Sequence, residues 1–219
     1  MNPTILTDFR RQLSTTVLDQ GLRSTCLAIS ISEVHQAARS GEGLAPDALW
    51  MTVYGTGHSP YEGLGIEEAA AAVENPGQPL MSTMPLIASF DPDLQWPVGV
   101  FEEPWHQARL GAFGGTEGLH EAVEAEEIAI LIVEVTTSFL HLRTNDAVID
   151  ADAVRQQDYV AHAVACVGTG LSATGDDLYL IRNSWGSAWA DGGDGWVTAA
   201  FLDQHCLAVM RVDEVYPIP

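Results

Sequence analysis

Cys26 is the residue of this sequence whose position could give it chemical reactivity. It lies in the segment "DQGLRSTCLAIS", directly before apolar residues at helical spacing. A thiol attacks only as its thiolate, and the positive end of a helix lowers the pKa of a thiol placed there. The alternative is a buried structural cysteine, which is the commoner role of a lone cysteine. Cys26 is therefore a candidate nucleophile, and it needs a base nearby.

A histidine is the natural base, and the sequence offers seven. His162 lies near the start of the apolar segment "AHAVACVG", and Asn183 lies near the end of "DLYLIRNSW". The turn-forming segment "LSATGDD" joins the two, so hairpin pairing would bring His162 and Asn183 together. Trp185 could shield that contact from water, and the Gln20 amide could bind a developing oxyanion. The alternatives are an ordinary strand histidine, a turn asparagine and a loop glutamine.

The elements that must position these residues are helical in the first half of the chain. The segment "STCLAISISEVHQAARSG" predicts a helix that begins at or just before Cys26 and stops at Gly41. "APDALWMTVYG" and "GIEEAAAAVENPG" predict two shorter helices. Residues 78–114 are rich in proline, glycine and tryptophan without clear periodicity, so we expect a long ordered connection there.

The second half is predicted to be mainly strand. "GTEGLHEAVEAEE" indicates one more helix, with Thr116 as its cap, and "IAILIVEVT" indicates a buried strand. After the hairpin, "DGGDGWVTAAFL" and "HCLAVMRVDEVY" are expected to supply the last strands. A helical half followed by a sheet-rich half predicts an α+β fold with two lobes and a cleft between them.

Charge and cysteine content narrow the classes of partner. Thirty acidic and nine basic residues give a net charge of −21, which repels nucleic acids and anionic membranes and attracts basic peptide segments. Cys26, Cys166 and Cys206 form neither a disulfide framework nor a zinc-binding pattern, so we expect no metal and a reducing, cytoplasmic setting. We expect Cys166 and Cys206 to lie in the core. No segment has the pattern of a signal peptide or of a membrane span.

Taken together, these motifs resemble the papain-like cysteine peptidases. The matching segments are "DFR", "DQGLRSTCLAIS", "HAVACVGTG", "IRNSWGSAWADGGDGWV" and the tail "HCLAVMRVDEVYPI". His162 follows Cys26 by 136 residues and Asn183 follows it by 157, close to the spacing of about 130 to 150 typical of this family. The resemblance implies a single domain over residues 1–219, with a helical lobe at about 10–114 and a β-rich lobe at 115–219. It also implies an antiparallel, barrel-like sheet, with the chain ends crossing between the lobes.

The resemblance also implies a role for each matched residue. Cys26 would be the nucleophile, His162 the base and later the acid, Asn183 the residue that orients the imidazole, and Gln20 the oxyanion donor. Four further residues would contact substrate. These are Gly63, Gly65, Trp185 and Trp189. The implied activity is peptide-bond hydrolysis without a cofactor, by an endopeptidase acting on a dedicated intracellular protein or peptide.

Departures from the family pattern shape the remaining expectations. Leu27 replaces the usual tryptophan, and the short "DQG..R.TC.A" form resembles a compact bacterial branch. Leu22 or Arg23 occupies the position where secreted members often carry a disulfide cysteine. No inhibitory propeptide is recognised before Asp8, so control by an activating or regulatory partner is an expectation. A silent peptide-binding module and an acyl transferase or ligase with the same triad are the alternatives to a peptidase.

Overall fold

The computed structural model describes residues 3–55, 61–87, 94–142, 148–151 and 161–218. The helices within these ranges are α1 (Cys26–Arg39), α2 (Pro46–Tyr54), α3 (Ile66–Glu74), α4 (Leu119–Glu124), α5 (Thr137–His141) and α6 (Ala199–His205). The strands are β1 (Thr4–Asp8), β2 (Ala108–Gly114), β3 (Ala129–Val133), β4 (Val148–Ile149), β5 (His162–Leu171), β6 (Asp177–Arg182), β7 (Asp194–Thr198) and β8 (Cys206–Val215).

Helix α1 is the central helix of the molecule. Every residue from Leu27 to Ala37 is buried, because α1 packs against α2 on one side and against β5 and β8 on another. A helix covered on several sides takes apolar residues beyond a single stripe, which explains the apolar character of this segment. The predicted start at Cys26 is confirmed. The helix ends at Arg39, and the residue that terminates it is Ser40, one residue before the predicted Gly41. Ser40 has the left-handed conformation, with a φ of 53°.

The sheet has the strand order β2-β8-β3-β5-β6-β7-β4, and β1 pairs with β5 outside this path. All pairs are antiparallel except β4 with β7, so the expected antiparallel sheet is in fact mixed. Strand β3 passes through the middle with all five residues buried. Ile130 and Ile132 face the core beneath α1, while Leu131 and Val133 face a second core on the other side. The sheet is therefore covered on both faces, as the continuous apolar run of β3 requires.

Strand β1 brings the start of the chain to the second half of the fold. Thr4 pairs with Leu171 and Asp8 pairs with Gly168. A Cβ atom at Gly168 would lie 2.5 Å from the Thr7 carbonyl oxygen, so only glycine allows the two strands to approach this closely.

Three local predictions were wrong. Strand β2 lies within the predicted connection 78–114 and pairs along its whole length with β8. The end of "DGGDGWVTAAFL" continues as α6 rather than as strand, since the Thr198 hydroxyl caps the helix by accepting a hydrogen bond from the Phe201 N–H. Helix α4 begins after Gly118, whose φ is +82°, and not at Thr116.

The predicted α+β class is confirmed. Helices α1, α2 and α3 form one body, and the sheet with helices α4 to α6 forms the other. Helix α1 joins the two, because it contacts α2 on one side and β5 and β8 on the other. The hairpin β5–β6 is present as predicted, with Ala165 opposite Arg182 and Leu171 opposite Asp177.

Candidate active site

Cys26 is the first residue of α1 and lies at the floor of a cleft between the helical body and the sheet. Thr25 precedes it as the N-cap without a side-chain cap bond, so the helix presents uncapped N–H groups at this end. The partly exposed thiol is in hydrogen-bond contact with His162. A nucleophile and a base from opposite walls of the cleft are therefore in direct contact.

Asn183 holds the ring of His162. The Nε2–H of His162 donates to Asn183 Oδ1 at 2.7 Å, which leaves Nδ1 for Cys26. The same Oδ1 accepts the backbone N–H of Ser184 at 2.8 Å, and this second bond sets the orientation of the amide. The Asn183 backbone N–H donates to the Gly193 carbonyl at 3.0 Å. Asn183 is itself held in place, so it can fix both the tautomer and the direction of the imidazole.

The electrostatics of Cys26 and His162 favour a thiolate beside an imidazolium. Burial acts to raise the pKa of Cys26, but the charge of His162 and its hydrogen bond outweigh burial and lower that pKa overall. Burial acts to lower the pKa of His162, but the charge of Cys26 and hydrogen bonds from Cys26 and Asn183 raise it overall. Each group therefore holds the other in its charged form.

The other two cysteines have the opposite properties. Burial raises the pKa of Cys166 to about 12 and that of Cys206 to about 11, and both thiols are buried. Both lie in the core beside β3, as expected from the sequence. Cys26 is thus the thiol that is both exposed to the cleft and shifted toward the thiolate.

An aromatic cluster covers the His162–Asn183 contact. The ring of Trp185 lies 4.7 Å from the ring of His162, and Phe139 meets the same ring edge-on at 5.8 Å. Phe139 belongs to α5, a helix that the sequence patterns did not predict. Trp189 does not line the cleft as expected, because it is only 3% exposed and its Nε1–H donates to the Phe139 carbonyl at 2.9 Å. It supports the aromatic cluster from within the core.

Gln20 lies beside Cys26 with its amide held at both ends. Ser184 Oγ donates to Gln20 Oε1 at 2.6 Å, and Gln20 Nε2 donates one of its two protons to the Arg23 carbonyl at 2.7 Å. This arrangement turns the amino group toward the loop that carries Cys26 and leaves one N–H free of that bond. The geometry suits an oxyanion donor.

Segments 18–20 and 184–186 join the two walls of the site. The Gln20 N–H donates to the Ser184 carbonyl at 2.8 Å, and the Gly186 N–H donates to the Leu18 carbonyl at 3.1 Å. Gly186 has a φ of +71°, and a Cβ atom there would lie 2.8 Å from the Asp19 carboxylate. Glycine at this position therefore permits the close approach that aligns Gln20 with Asn183.

The cleft has a volume of about 880 Å³. Gly63 and Gly65 lie on its rim, where exposed backbone without side chains could meet an extended peptide. Apolar side chains form most of the walls on both sides of Cys26. They are Leu22, Leu27, Tyr61, Leu64, Ile66, Ile132, Leu207 and Ala208. No carboxylate lies among the described residues that line this cleft, so the charge of −21 is located elsewhere on the molecule.

Sequence reasoning missed a partly buried ionic network behind Asn183. Arg182 donates to both carboxylate oxygens of Asp194 at 2.9 and 3.2 Å, and Arg10 donates to Asp194 at 3.3 Å and to Asp8. Glu33 of α1 faces this network, and burial raises its pKa to about 8 against the attraction of Arg182. The network ties the start of the chain to the strand end that carries Asn183. No sequence pattern pairs residues so far apart.

The described part of the chain shows no group of three or more histidine, cysteine or acidic side chains arranged to bind a metal ion. Within the same residues, no helix combines the length and the apolar character that crossing a membrane demands.

The chain is similar to known proteins in both sequence and fold. The family model described as papain family cysteine protease matches residues 110–215. A cathepsin L-like peptidase of Aedes aegypti is 46% identical over 46 residues, which cover 20% of this chain and 13% of that protein. Peptidase 1 of Dermatophagoides farinae is 38% identical over 73 residues, which cover 33% of this chain and 22% of the relative. The matches thus span less than a quarter of the length of these relatives.

The structural similarity extends over nearly the whole chain. Bromelain from Ananas comosus, solved with the inhibitor E64, superposes with a TM-score of 0.70 at 15% identity and covers 94% of this chain and 97% of its own. The clostridial cysteine protease Cwp84 superposes with a TM-score of 0.76 at 16% identity and covers 99% of this chain and 58% of its own. The fold is papain-like, as the sequence motifs implied.

By sequence match over residues 110–215 and by fold over nearly the whole chain, this protein is similar to the papain-like cysteine peptidases. The resemblance drawn from the sequence motifs is therefore confirmed. The family match begins at residue 110, so it includes His162 and Asn183 but not Cys26. Cys26 joins them through the fold.

Proposed function

We propose that the protein hydrolyses peptide bonds, with Cys26 as nucleophile, His162 as general base and acid, and Asn183 as the residue that orients the imidazole. The observation that carries this proposal is the pairing of Cys26 and His162 in an open cleft, with each group shifting the other toward its charged form. A cysteine paired with a histidine in this way is an activated nucleophile.

The reaction has two halves. In the first, the Cys26 thiolate adds to the scissile carbonyl carbon, and the amides of Gln20 and of the Cys26 backbone stabilise the oxyanion. The His162 imidazolium gives its proton to the departing amine as the C–N bond breaks, and a thioester remains. In the second, His162 takes a proton from water, which attacks the thioester. The C–S bond then breaks, a carboxylic acid product leaves, and the thiolate returns.

The walls of the cleft favour apolar substrate side chains in direct contact. Leu64 and Ile66 pack against the core that contains Ile132 of β3, and Leu207 is 45% exposed at the rim. Burying apolar area contributes about 25 cal/mol per Å², so a bulky apolar side chain gains most here. The net charge of −21 attracts basic peptide segments, so basic residues near the cleavage site would be favoured by long-range attraction rather than by a contact in the cleft.

These two contributions can be separated by salt. Paired peptides that differ only in a flanking Lys or Ala should differ in kcat/KM at low ionic strength and converge as salt screens the charge. Peptides that differ in the apolar residue should keep their ratio at every salt concentration. A preference for Lys that persists at high salt would indicate a direct contact with a carboxylate in the cleft. It would contradict the proposed preference for apolar substrate side chains.

Acyl transfer to an amine is the second candidate, because it uses the same thioester. A transferase would convert the acyl group to an amide at an amine concentration far below that of water, whereas a peptidase would yield carboxylic acid. A silent peptide-binding module is the third candidate, and it predicts binding without a thioester. The lowered pKa of Cys26 favours the two enzymes over the binding module.

The cellular setting belongs to the same proposal. Three free cysteines fit a reducing cytoplasm, and the short "DQGLRSTC" motif fits a bacterial enzyme. We propose that the enzyme acts there on a dedicated protein or peptide substrate, under the control of a regulatory partner. Fractionation of the native cell and identification of proteins that accumulate when Cys26 is replaced by alanine would test both parts.

The direct test is hydrolysis of a peptide library by the native chain, Cys26→Ala and Cys166→Ala. Cys166→Ala is the matched control, since it removes a thiol whose pKa is raised to about 12. Cleavage by the native chain and by Cys166→Ala, with none by Cys26→Ala, supports the proposal. A folded native chain that cleaves nothing, with Cys26 unreactive toward an epoxide inhibitor by mass spectrometry, would refute it.

A further inference from the structure

The loop between Gln20 and Cys26 is anchored by one buried ion pair. Leu22 points outward and is 73% exposed, whereas Arg23 points inward and is 2% exposed. Arg23 Nη1 donates to Asp47 Oδ1 at 2.5 Å, and Asp47 of α2 is fully buried. Arg23 therefore fixes to α2 the loop that leads to the nucleophile.

Several other contacts hold this pair in place. Arg23 Nη1 also donates to the Ile87 carbonyl at 3.0 Å, and the Ile87 N–H donates to Asp47 Oδ2 at 2.9 Å. The guanidinium lies over the ring of Trp50, with its carbon 5.3 Å from the ring centroid. An arginine held by a carboxylate, a carbonyl and an aromatic face has little freedom to move.

The backbone of Arg23 connects this anchor to the oxyanion donor. Its carbonyl oxygen accepts the Nε2–H of Gln20 at 2.7 Å, while Ser184 Oγ holds the other end of the same amide. Displacing the Arg23 backbone would therefore turn the Gln20 amino group away from the position it now occupies.

We propose that Arg23 and Asp47 form a positioning pair that sets the direction of the Gln20 amide toward the oxyanion, and so acts on the transition state without touching substrate. This inference rests on the proposed function, in which Gln20 stabilises the oxyanion. The pair gives the loop between Gln20 and Cys26 a non-covalent anchor to α2.

The test compares two reactions of Cys26 that differ in their need for the oxyanion donor. Alkylation by iodoacetamide is a direct displacement and forms no oxyanion, whereas peptide hydrolysis does. The variant is Arg23→Met/Asp47→Asn, which avoids an unpaired buried charge and keeps an acceptor for the Ile87 N–H. Met51→Ala is the matched control, because it removes buried apolar contacts of α2 and leaves the Arg23–Asp47 hydrogen bond in place.

The expected result is a loss in kcat of about 10- to 100-fold with little change in KM, since misdirected donors act on the transition state. The rate of Cys26 alkylation should stay at the native value. Adding Gln20→Ala should lower kcat little further, because both changes remove the same stabilisation of the oxyanion by the Gln20 amide. Met51→Ala should retain the native kcat.

Three results with the variants would overturn the inference: native kcat in the double variant, an equal fall in alkylation and hydrolysis, or losses that multiply when Gln20→Ala is added. Affinity for a peptide aldehyde, whose adduct with Cys26 places an oxygen at the same point, is measured in every variant. If the native chain binds the aldehyde but hydrolyses no peptide, the proposed function fails. The inference is then tested by aldehyde affinity alone: weaker binding by the double variant supports it, and unchanged binding overturns it. No aldehyde binding by the native chain would overturn both.

Discussion

Glu33 makes the stability of this protein depend on pH in a way that one substitution should remove. Its carboxyl group is 4% exposed on α1, and its Oε1 has no hydrogen-bond partner among the described residues. Burial raises its pKa to about 8 from 4.5, with Arg182 opposing the rise and Asp194 adding to it. Between these values the unfolded chain releases the proton and the folded chain keeps it. Folding stability therefore falls as pH rises through this window.

The size of the effect follows from the two pKa values. Each unit of difference corresponds to about 1.4 kcal/mol, so the free energy of unfolding should fall by about 3 kcal/mol between pH 4.5 and 7 because of Glu33 alone. The Glu33→Gln side chain cannot ionise, so the variant does not show this fall in the free energy of unfolding. The difference in stability between Glu33→Gln and the parent should thus grow by about 3 kcal/mol over that range in favour of the variant.

Urea unfolding followed by tryptophan fluorescence measures this difference. Both chains should carry Cys26→Ala to prevent self-cleavage, and curves at several pH values between 4.5 and 7 give the slope. Comparing the two chains cancels the titration of other groups, including His35. Glu67→Gln, a change at an exposed position of α3, is the matched control for the loss of one carboxylate. Parallel stability curves for Glu33→Gln and its parent would refute the reasoning.

The remaining predictions concern the site and one further buried group. The pH profile of kcat/KM should be bell-shaped, with its acid limb below the ordinary thiol pKa of 9.0 and its basic limb above the ordinary imidazole pKa of 6.5, because Cys26 and His162 shift each other in those directions. Asn183→Ala should lower kcat by about 10- to 100-fold by releasing the imidazole, and it should also slow alkylation of Cys26; unchanged alkylation would contradict an orienting role. Ser184→Ala frees one end of the Gln20 amide and should reduce kcat by roughly tenfold while leaving alkylation unchanged. Burial lowers the pKa of His35 to about 4, so stability should be lost as pH falls from 6.5 to 4, and His35→Gln should flatten that loss in thermal unfolding.

Part of the order of elements and the candidate site residues could be inferred from local patterns. Helical spacing after Cys26 marked the start of α1, and two apolar segments around a turn marked the β5–β6 hairpin. These signals are local because a helix turn and a hairpin depend on residues close in sequence. Elements that form only by pairing with a distant strand were missed. Strand β2 contains glycine and arginine and becomes a strand only because β8 lies beside it.

The ion pairs and hydrogen bonds that join distant parts of the chain around the site could not be inferred in this way. Arg10 meets Asp194, Arg23 meets Asp47, and Ser184 meets Gln20 across 184, 24 and 164 positions of sequence. A charged residue in a loop is usually solvated, so nothing local marks Arg23 as buried. The same holds for Trp189, which by its motif could have faced substrate and instead packs in the core.

What the sequence by itself determined is the chemistry available to this protein: a cysteine at the head of a helix, a histidine and an asparagine on one hairpin, and a glutamine beside the cysteine. These depend on residue type and short spacing. What only the tertiary structure decided is the charge state and direction of each group. Cys26 and His162 shift each other toward their charged forms, against the opposing effect of burial, because two walls of a cleft bring them together. The Gln20 amide has a fixed direction because Ser184, 164 positions away, holds one end and the Arg23 carbonyl holds the other. Burial and alignment are properties of the packed chain, and no short segment contains them.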